Sequence, residues 1–542
     1  MIERALLSVA DKTGIVVLAR GLVEAGCEII STGGTAGALR EAGIPVTALE
    51  RVTGFPEILG GRVKTLHPAV HGALLAVRAN EAHTAELGRH GIRTLDLVAV
   101  TLYPFEAALA RGSDERALIE EIDIGGVALL RAAAKNYRDV VVLSDPAQYA
   151  PVLEQIRKTR EVSFETRRRL AHEAFVRTTA YDRAIAGWLG AVAAAPDGTS
   201  PGGAQRPGEV DGLVPLPARL SFAFEKLQDL RYGENPHQRG AFYRDATPFG
   251  AGARARGTIE TPDLTTARQI AGKELSYNNI YDLDAALEVV REFAETAAVV
   301  VKHGIPCGAA LAGTLRDAYV RARDADPVSA FGGIVALNRP VDRAAAEAIG
   351  ETFLEAVIAP AFHDDAVAAL GRKKAVRLLE TGPLVPAGPQ AGVDWRRVRG
   401  GLLVQDRDAL DLIETDLKVV TSRRPTEREW HDLKFAWTVC RHVRSNAIVF
   451  ARDRRVVGVG AGQPNRVESV RIAVRVAGER ARGASMASEA FFPFADGVEA
   501  AAAAGITAVM QPGGSKRDPE VIAAADAAGI AMVTAGLRHF RH

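Results

Sequence analysis

At 542 residues the chain is longer than a single core supports, since cores stop growing near ~250–300 residues, so two or more domains are expected. It is 47% hydrophobic and 25% charged, and a formal net charge of +1 gives no electrostatic ground for nucleic acid or an anionic membrane as partner. Only three cysteines occur, Cys27, Cys307 and Cys440, far apart in sequence, which excludes a disulfide scaffold and suits a reducing, cytoplasmic setting.

Residues 1–194 alternate short apolar strands with helical segments, the grammar of a parallel α/β sheet. Ala5–Val9, Cys27–Ser31, Leu97–Leu102 and Val140–Leu143 read as strands. Ile15–Ala25, Thr35–Ala42 and Val127–Ala134 read as helices, and Arg- and Ala-rich helices are expected from Thr166 to Val192. The start Met1-Ile2-Glu3-Arg4 carries no signal-peptide pattern, and no apolar run reaches the ~18 residues of a membrane span. Pro196, Gly198, Pro201, Gly202, Gly203, Pro207 and Gly208 then break the pattern, so residues 195–217 are expected to form a linker. A second α/β region follows over residues 218–542. Two blocks in it, Ala298–Val301 followed by Lys302-His303 and Val439–Cys440 followed by Arg441-His442, read as strand ends of similar grammar and suggest a duplicated lobe.

Ser31-Thr32-Gly33-Gly34-Thr35 follows a strand and opens a helix, where glycines let the backbone approach a ligand and unpaired N–H groups attract an anion. Ile122-Asp123-Ile124-Gly125-Gly126 repeats that design. Ser8-Val9-Ala10-Asp11-Lys12, Gly60-Gly61-Arg62-Val63-Lys64-Thr65-Leu66-His67-Pro68 and Ala134-Lys135-Asn136 add cations near strand and helix ends. Singly, each is more often a structural turn than a ligand site. Together they describe an anionic ligand at the carboxyl edge of a parallel sheet. The chain has just 12 lysines among 67 Lys+Arg, and Lys12, Lys64, Lys135 and Lys302 all fall in such motifs.

With Leu102-Tyr103-Pro104-Phe105 included, this set resembles the IMP cyclohydrolase half of the bifunctional purine-biosynthesis enzymes, whose domain has the methylglyoxal-synthase-like (MGS-like) fold. The resemblance implies that Ser8, Lys12, Thr32, Gly33, Gly34, Thr35, Arg62, Thr65, Gly125 and Gly126 hold the nucleotide. It also implies that Lys64, Tyr103, Asp123 and Lys135 form the ring-closing centre. Ala10 and Thr101 depart from it, standing where members can carry Ser and Asn.

In the second region Val300-Val301-Lys302-His303-Gly304-Ile305-Pro306-Cys307-Gly308 delivers adjacent Lys and His into a loop held by Gly and Pro. Imidazole is the usual base near neutral pH, and an ammonium beside it can steady a developing oxyanion. A surface lysine beside a capping histidine would leave the same trace. Pro306-Cys307 invites comparison with zinc deaminases, but position 310 is Ala and His303 is not followed by x-Glu, so the zinc ligand set is incomplete. Further motifs are Leu230-Arg231-Tyr232-Gly233, Asp326-Pro327-Val328-Ser329-Ala330-Phe331-Gly332-Gly333, Arg444-Ser445-Asn446-Ala447, Gly458-Val459-Gly460-Ala461-Gly462-Gln463-Pro464-Asn465-Arg466 and Ser488-Glu489-Ala490-Phe491-Phe492-Pro493-Phe494-Ala495-Asp496.

These resemble the transformylase half of the same enzymes, which act on 5-aminoimidazole-4-carboxamide ribotide (AICAR). The fold implied is a pair of cytidine-deaminase-like α/β lobes without zinc. The resemblance implies Lys302, His303 and Asn446 in catalysis, Arg231, Tyr232, Asp326 and Gly332 on the ribotide, and Arg466, Phe491 and Asp496 on the folate. It further implies 10-formyltetrahydrofolate as cosubstrate, no catalytic metal, and a homodimer. The expected activity is formyl transfer to AICAR followed by closure of the formyl product (FAICAR) to IMP. A sugar-phosphate lyase on the MGS-like fold would explain only residues 1–194. A non-catalytic nucleotide binder would leave Lys64, Asp123, Lys135, Lys302 and His303 without purpose.

Overall fold

The computed structural model describes residues 2–194, 216, 220–246, 262–371, 375–384, 393–410 and 412–542. The expected linker 195–217 lies outside these residues, apart from Leu216. The chain divides into two compact units: Met1–Ala223 with Ala246–Thr258, and Phe224–Asp245 with Ile259–His542.

Continuous apolar runs, rather than alternating ones, mark strands covered on both faces, as parallel sheets are. The first unit has five such strands: β1 (Arg4–Val9), β2 (Glu28–Ser31), β3 (Thr47–Ala48), β4 (Leu97–Thr101) and β5 (Val141–Leu143). All pair in parallel in the order β3-β2-β1-β4-β5. The register aligns Leu7 with Ser31 and Val9 with Thr101, so the carboxyl ends of β1, β2 and β4 lie side by side. Four of the expected strands occur within a residue of their expected bounds; the two-residue β3 was not foreseen. The Arg- and Ala-rich stretch is one 31-residue helix, Phe164–Ala194, whose Tyr181 and Trp188 pack edge-on against Phe105.

The second unit is organised by a twelve-stranded mixed sheet. Its strands are β8 (Arg268–Ala271), β9 (Ala297–Lys302), β10 (Ile305–Leu311), β11 (Gly333–Leu337), β12 (Leu354–Ala359), β13 (Arg377–Glu380), β16 (Lys418–Val419), β17 (Ile448–Arg452), β18 (Arg455–Gly460), β19 (Ser485–Ser488), β20 (Ala508–Gln511) and β21 (Ala531–Thr534). Hairpins β6–β7 (Phe224–Leu230, Gly240–Asp245) and β14–β15 (Val393–Val398, Gly401–Asp406) stand apart from the sheet as two-stranded pairs. The sheet order, β16-β21-β20-β19-β17-β18-β10-β9-β11-β12-β13-β8, reads the same from either end once the two lobes are aligned. Helices Tyr277–Val290 and Glu427–Cys440 share one face of the sheet, where Phe293 stacks on Phe435 with centroids 5.4 Å apart. The remaining helices of each lobe cover separate cores on the other face.

Equivalent residues do equivalent work in the two lobes. Gly308 in β10 and Gly458 in β18 each lie so close to a helix carbonyl, of Ala322 and of Ala473, that a Cβ would collide with it. Asp282, in the helix before β9, accepts the backbone N–H groups of His303 (3.2 Å) and Gly304 (2.6 Å). Asp432, at the same position of the other helix, accepts that of Arg454 at 2.7 Å. The duplication is therefore present, but not as the basic-His pairs suggested. Val439–Cys440 is the end of the helix Glu427–Cys440, which a Thr426/Glu429 capping box starts, and not a strand. Lys302-His303 corresponds instead to Arg452-Asp453, so the imidazole exists in one lobe only.

Candidate active sites

In the first unit β1 ends against β4. Ala10 N donates to the Thr101 carbonyl (3.1 Å) and Asp11 N to Thr101 Oγ1 (2.9 Å), so the threonine fastens this turn. The Lys12 ammonium folds back onto the Val9 carbonyl and onto Thr35 Oγ1 at 3.1 Å. Thr35 Oγ1 in turn accepts Val9 N (3.1 Å), and Ser8 and Thr32 hydroxyls stand 3.2 Å apart. Thr32 occupies the N-cap of the helix Gly33–Glu41 without capping it through its side chain. Among the described residues, nothing beyond the adjacent residues and the helix's own backbone lies within 4 Å of a Cβ built on Gly33 or Gly34. An open helix start ringed by hydroxyls and an ammonium is suited to a phosphate.

Lys64 Nζ donates to Tyr103 Oη at 3.4 Å. Burial first, then the nearby charge of Lys64, lowers the Lys12 pKa, as expected of two ammoniums gathered around a position for an anion. Asp123 Oδ1 accepts Gly126 N at 2.6 Å, and the Tyr103 backbone N–H also reaches this carboxyl. Burial outweighs these bonds and the Lys64 charge, raising the Asp123 pKa. Gly125 and Gly126 are required by close approach: a Cβ on Gly125 would lie 2.7 Å from Thr65 Oγ1, and one on Gly126 would run into the Asp123 carboxylate. Tyr181, 58 residues away, accepts Asp123 N (2.9 Å) and donates to the Glu121 carbonyl (2.6 Å), holding the whole loop.

Two of the expected residues are engaged otherwise. Arg62 is paired with Glu120 on the surface, both side chains largely exposed. Lys135 ends the helix that Gly125 begins, about 15 Å further along at 1.5 Å per residue. There it lines an open groove of about 680 Å³ with His71, Arg131, Tyr137, Arg168 and Phe175.

In the second unit Lys302 Nζ donates to the carbonyls of Phe331 (3.2 Å) and Gly332 (2.7 Å), which fixes its ammonium beside the 326–333 turn. Asp326 caps that turn through Ser329 N (3.0 Å) and Ser329 Oγ (2.6 Å). His303 sits at φ 53° in the β9–β10 turn with its side chain exposed, its backbone pinned by Asp282. Exposed Arg231 and half-buried Tyr232 form a cation–π pair 4.8 Å apart at the tip of β6–β7. From the other lobe, Arg444 reaches the hydroxyl of Tyr281, whose ring lies against Gly304. Ser445 and Asn446 follow directly, so the second lobe supplies Asn446 to the side of the unit where the first presents His303.

Asn446 is held at both ends of its amide: Nδ2 donates to the Gln463 carbonyl (2.7 Å), and Oδ1 accepts from Arg466 Nη2 (2.6 Å). Arg466 is buried and pairs with Glu489 at 2.6 Å. This corrects its expected place on the folate: the guanidinium faces inward. Gly458 and Gly460 are strand residues that let a helix backbone pack close against β18. Phe491 and Asp496 do lie at the surface, with Phe494, which stacks under Arg517 at 4.8 Å. Glu489 and Asp282 were not foreseen. A lone carboxylate in the apolar run Ala487–Phe492 was the available signal for Glu489, because a buried charge requires partners. Cys307 and Cys440 are buried, and burial pushes the Cys307 thiol up to about 12, so neither is a nucleophile.

Among known proteins, the family model of the AICARFT/IMPCHase bienzyme matches residues 133–476, and that of the MGS-like domain matches residues 14–128. A protein of Sorangium cellulosum named bifunctional purine biosynthesis protein PurH is 54% identical over 100% of both chains. One of the same name from Myxococcus xanthus is 52% identical over 99% of this chain and 100% of its own. Another, from Acetivibrio thermocellus, is 49% identical over 100% of both.

Proposed function

The chain belongs to the AICARFT/IMPCHase bienzyme family, and from that premise we propose how its two units divide the work. It is an enzyme of purine biosynthesis with AICAR formyltransferase and IMP cyclohydrolase activities.

Ring closure belongs to the first unit. The phosphate of the formylated ribotide is held by the Gly33-Gly34 helix start, Ser8, Thr32, Thr35 and Lys12. The carboxamide nitrogen then attacks the formyl carbon. Lys64, hydrogen-bonded to Tyr103, steadies the oxygen that gains charge, and Asp123, its pKa raised by burial, exchanges protons as water leaves. Formyl transfer belongs to the second unit. His303 takes the proton from the 5-amino group as its nitrogen bonds to the formyl carbon, while Lys302 and Asn446 donate to the formyl oxygen; the bond from that carbon to folate N10 then breaks, N10 receives the proton from His303, and tetrahydrofolate leaves. Arg231, Tyr232, Asp326 and Gly332 receive the ribotide. Exposed Phe491 and Phe494 beside Asp496 offer aromatic faces suited to a pterin, which supports 10-formyltetrahydrofolate as formyl donor. Among the described residues no helix is long and apolar enough to cross a membrane, and the three thiols are free and buried, in keeping with the cytoplasm.

The observation that carries this reading is that Lys12, Lys64, Tyr103 and Asp123 gather in the first unit, while in the second Arg444, two residues before Asn446, reaches Tyr281 against the turn that bears Lys302 and His303. Purified protein given AICAR and 10-formyltetrahydrofolate should form IMP, with FAICAR as a transient. Absence of IMP, or IMP from AICAR without the folate, refutes the assignment.

We further propose that the active form is a homodimer. A two-stranded hairpin is marginal alone in water, yet β6–β7 and β14–β15 expose apolar side chains along their length, among them Leu227, Tyr243 and Leu403, the last 61% exposed. Val328 and Phe331, beside Lys302, are 86% and 62% exposed. A second copy is the occupant that would cover the arms and the Lys302 turn together. The double variant Leu227→Asp/Leu403→Asp should sediment at the mass of one chain and lose formyl transfer while still cyclising supplied FAICAR. Persistence of the doubled mass, or a wild-type protein already at single-chain mass, overturns the dimer.

A further inference from the structure

We infer that Glu489 and Arg466 are positioning residues for formyl transfer, acting together through Asn446. The inference rests on the reading of the second unit given above.

Glu489 is fully buried and flanks Asn446 on both sides. Its Oε1 accepts Ser445 Oγ at 2.7 Å and its Oε2 accepts Ala447 N at 3.0 Å. The same carboxylate takes both ends of the Arg466 guanidinium, Nη1 at 2.6 Å and Nη2 at 3.2 Å. Nη1 also reaches Ser488 Oγ at 2.9 Å, and Nη2 reaches Asn446 Oδ1 at 2.6 Å. Guanidinium has only donors, so the atom of Asn446 facing it must be the oxygen. The amide nitrogen is thereby committed to the other side, where one N–H is spent on the Gln463 carbonyl at 2.7 Å. One N–H remains. Glu489, by locking Arg466, makes Asn446 a donor of fixed direction, which is what an oxygen gaining charge requires and a freely flipping amide would not supply.

A buried ion pair used only for cohesion needs no link to a catalytic amide. This one spends its second nitrogen there. A role confined to folding and a role in orientation differ in what a double-mutant cycle reads. Asn446→Ala should cut the formyl-transfer kcat by ~10²–10³-fold, as loss of one oxyanion donor does. Glu489→Gln should cut it by ~10–10²-fold, as a small misplacement of a reacting group does, with the KM for AICAR within about threefold of wild type. The double variant should be no slower than Asn446→Ala, and cyclisation of supplied FAICAR should be unchanged in all three. Arg466→Lys, which keeps a cation against Glu489 but loses the second arm to Asn446, should reproduce the kcat loss and covers the case that Glu489→Gln fails to fold. Multiplying losses in the double variant, or a normal kcat in Arg466→Lys, overturns the coupling while leaving the site assignment intact. Full formyl transfer in Asn446→Ala overturns both.

Discussion

Replacing His303 with alanine is expected to slow formyl transfer by about 10²–10⁴-fold, the contribution of a positioned general base, and to leave ring closure of supplied FAICAR at the wild-type rate. The separation follows from the architecture. His303 lies in the second unit, on a turn whose two N–H groups are clamped by Asp282, whereas the residues proposed for ring closure belong to the first. The backbone there has φ 53°, which side chains other than glycine, asparagine and a few others resist. His303→Asn therefore makes the sharper comparison, because asparagine tolerates that conformation and cannot act as the base. Both variants should be assayed by folate product release and, separately, by IMP formation from FAICAR. Equal loss of the two activities would mean a damaged fold or a shared site. Retained formyl transfer in both variants would remove the imidazole from the chemistry.

Lys64→Ala is the mirror experiment. Cyclisation should fall by about 10²–10³-fold, the usual cost of deleting a donor aimed at developing charge, with formyl transfer untouched. A second readout tests the electrostatics. The Lys12 pKa is lowered by burial and, next, by the Lys64 charge. Removing Lys64 takes away one depressing influence, so the Lys12 pKa should move upward, though burial still holds it below the ordinary lysine value. Titration of Lys12 by NMR would detect that movement. Near-normal ring closure in Lys64→Ala would take this ammonium out of the mechanism, and an unmoved Lys12 would deny that the two cations share a site.

Much of the first unit was legible because its code is local. A strand, a glycine pair and a hydroxyl followed by a helix need no distant partner to be read, and Ser8, Lys12, Thr32 and Thr35 do meet at one sheet edge. Lys302-His303 was legible for the same reason. What escaped depended on partners far along the chain. Arg466 looks like a cation closing a glycine-rich loop, and nothing nearby announces that Glu489, 23 residues on, will draw it inward. Tyr181 secures the Asp123 loop from the middle of a long helix, with no local mark of that duty. The misreading of Val439–Cys440 had a different cause. A short apolar run fits strand or buried helix equally, and Thr426 with Glu429, the capping box that decides between them, lies ten or more residues earlier. Arg62 and Lys135 matched motif positions, yet an exposed carboxylate holds the first and the length of a helix carries the second away.

β10 and β18 meet antiparallel at the middle of the great sheet, with the same order of strands running outward on either hand. Antiparallel contact between like strands is what a twofold rotation produces when one subunit pairs edge to edge with its own copy. The second unit thus has the form of a symmetric dimer of single lobes fused into one polypeptide. Fusion frees the halves from having to match. One lobe carries His303 at its hairpin turn where the other carries Asp453, and it is this second lobe that holds Asn446. Neither lobe, expressed alone, would carry both His303 and Asn446.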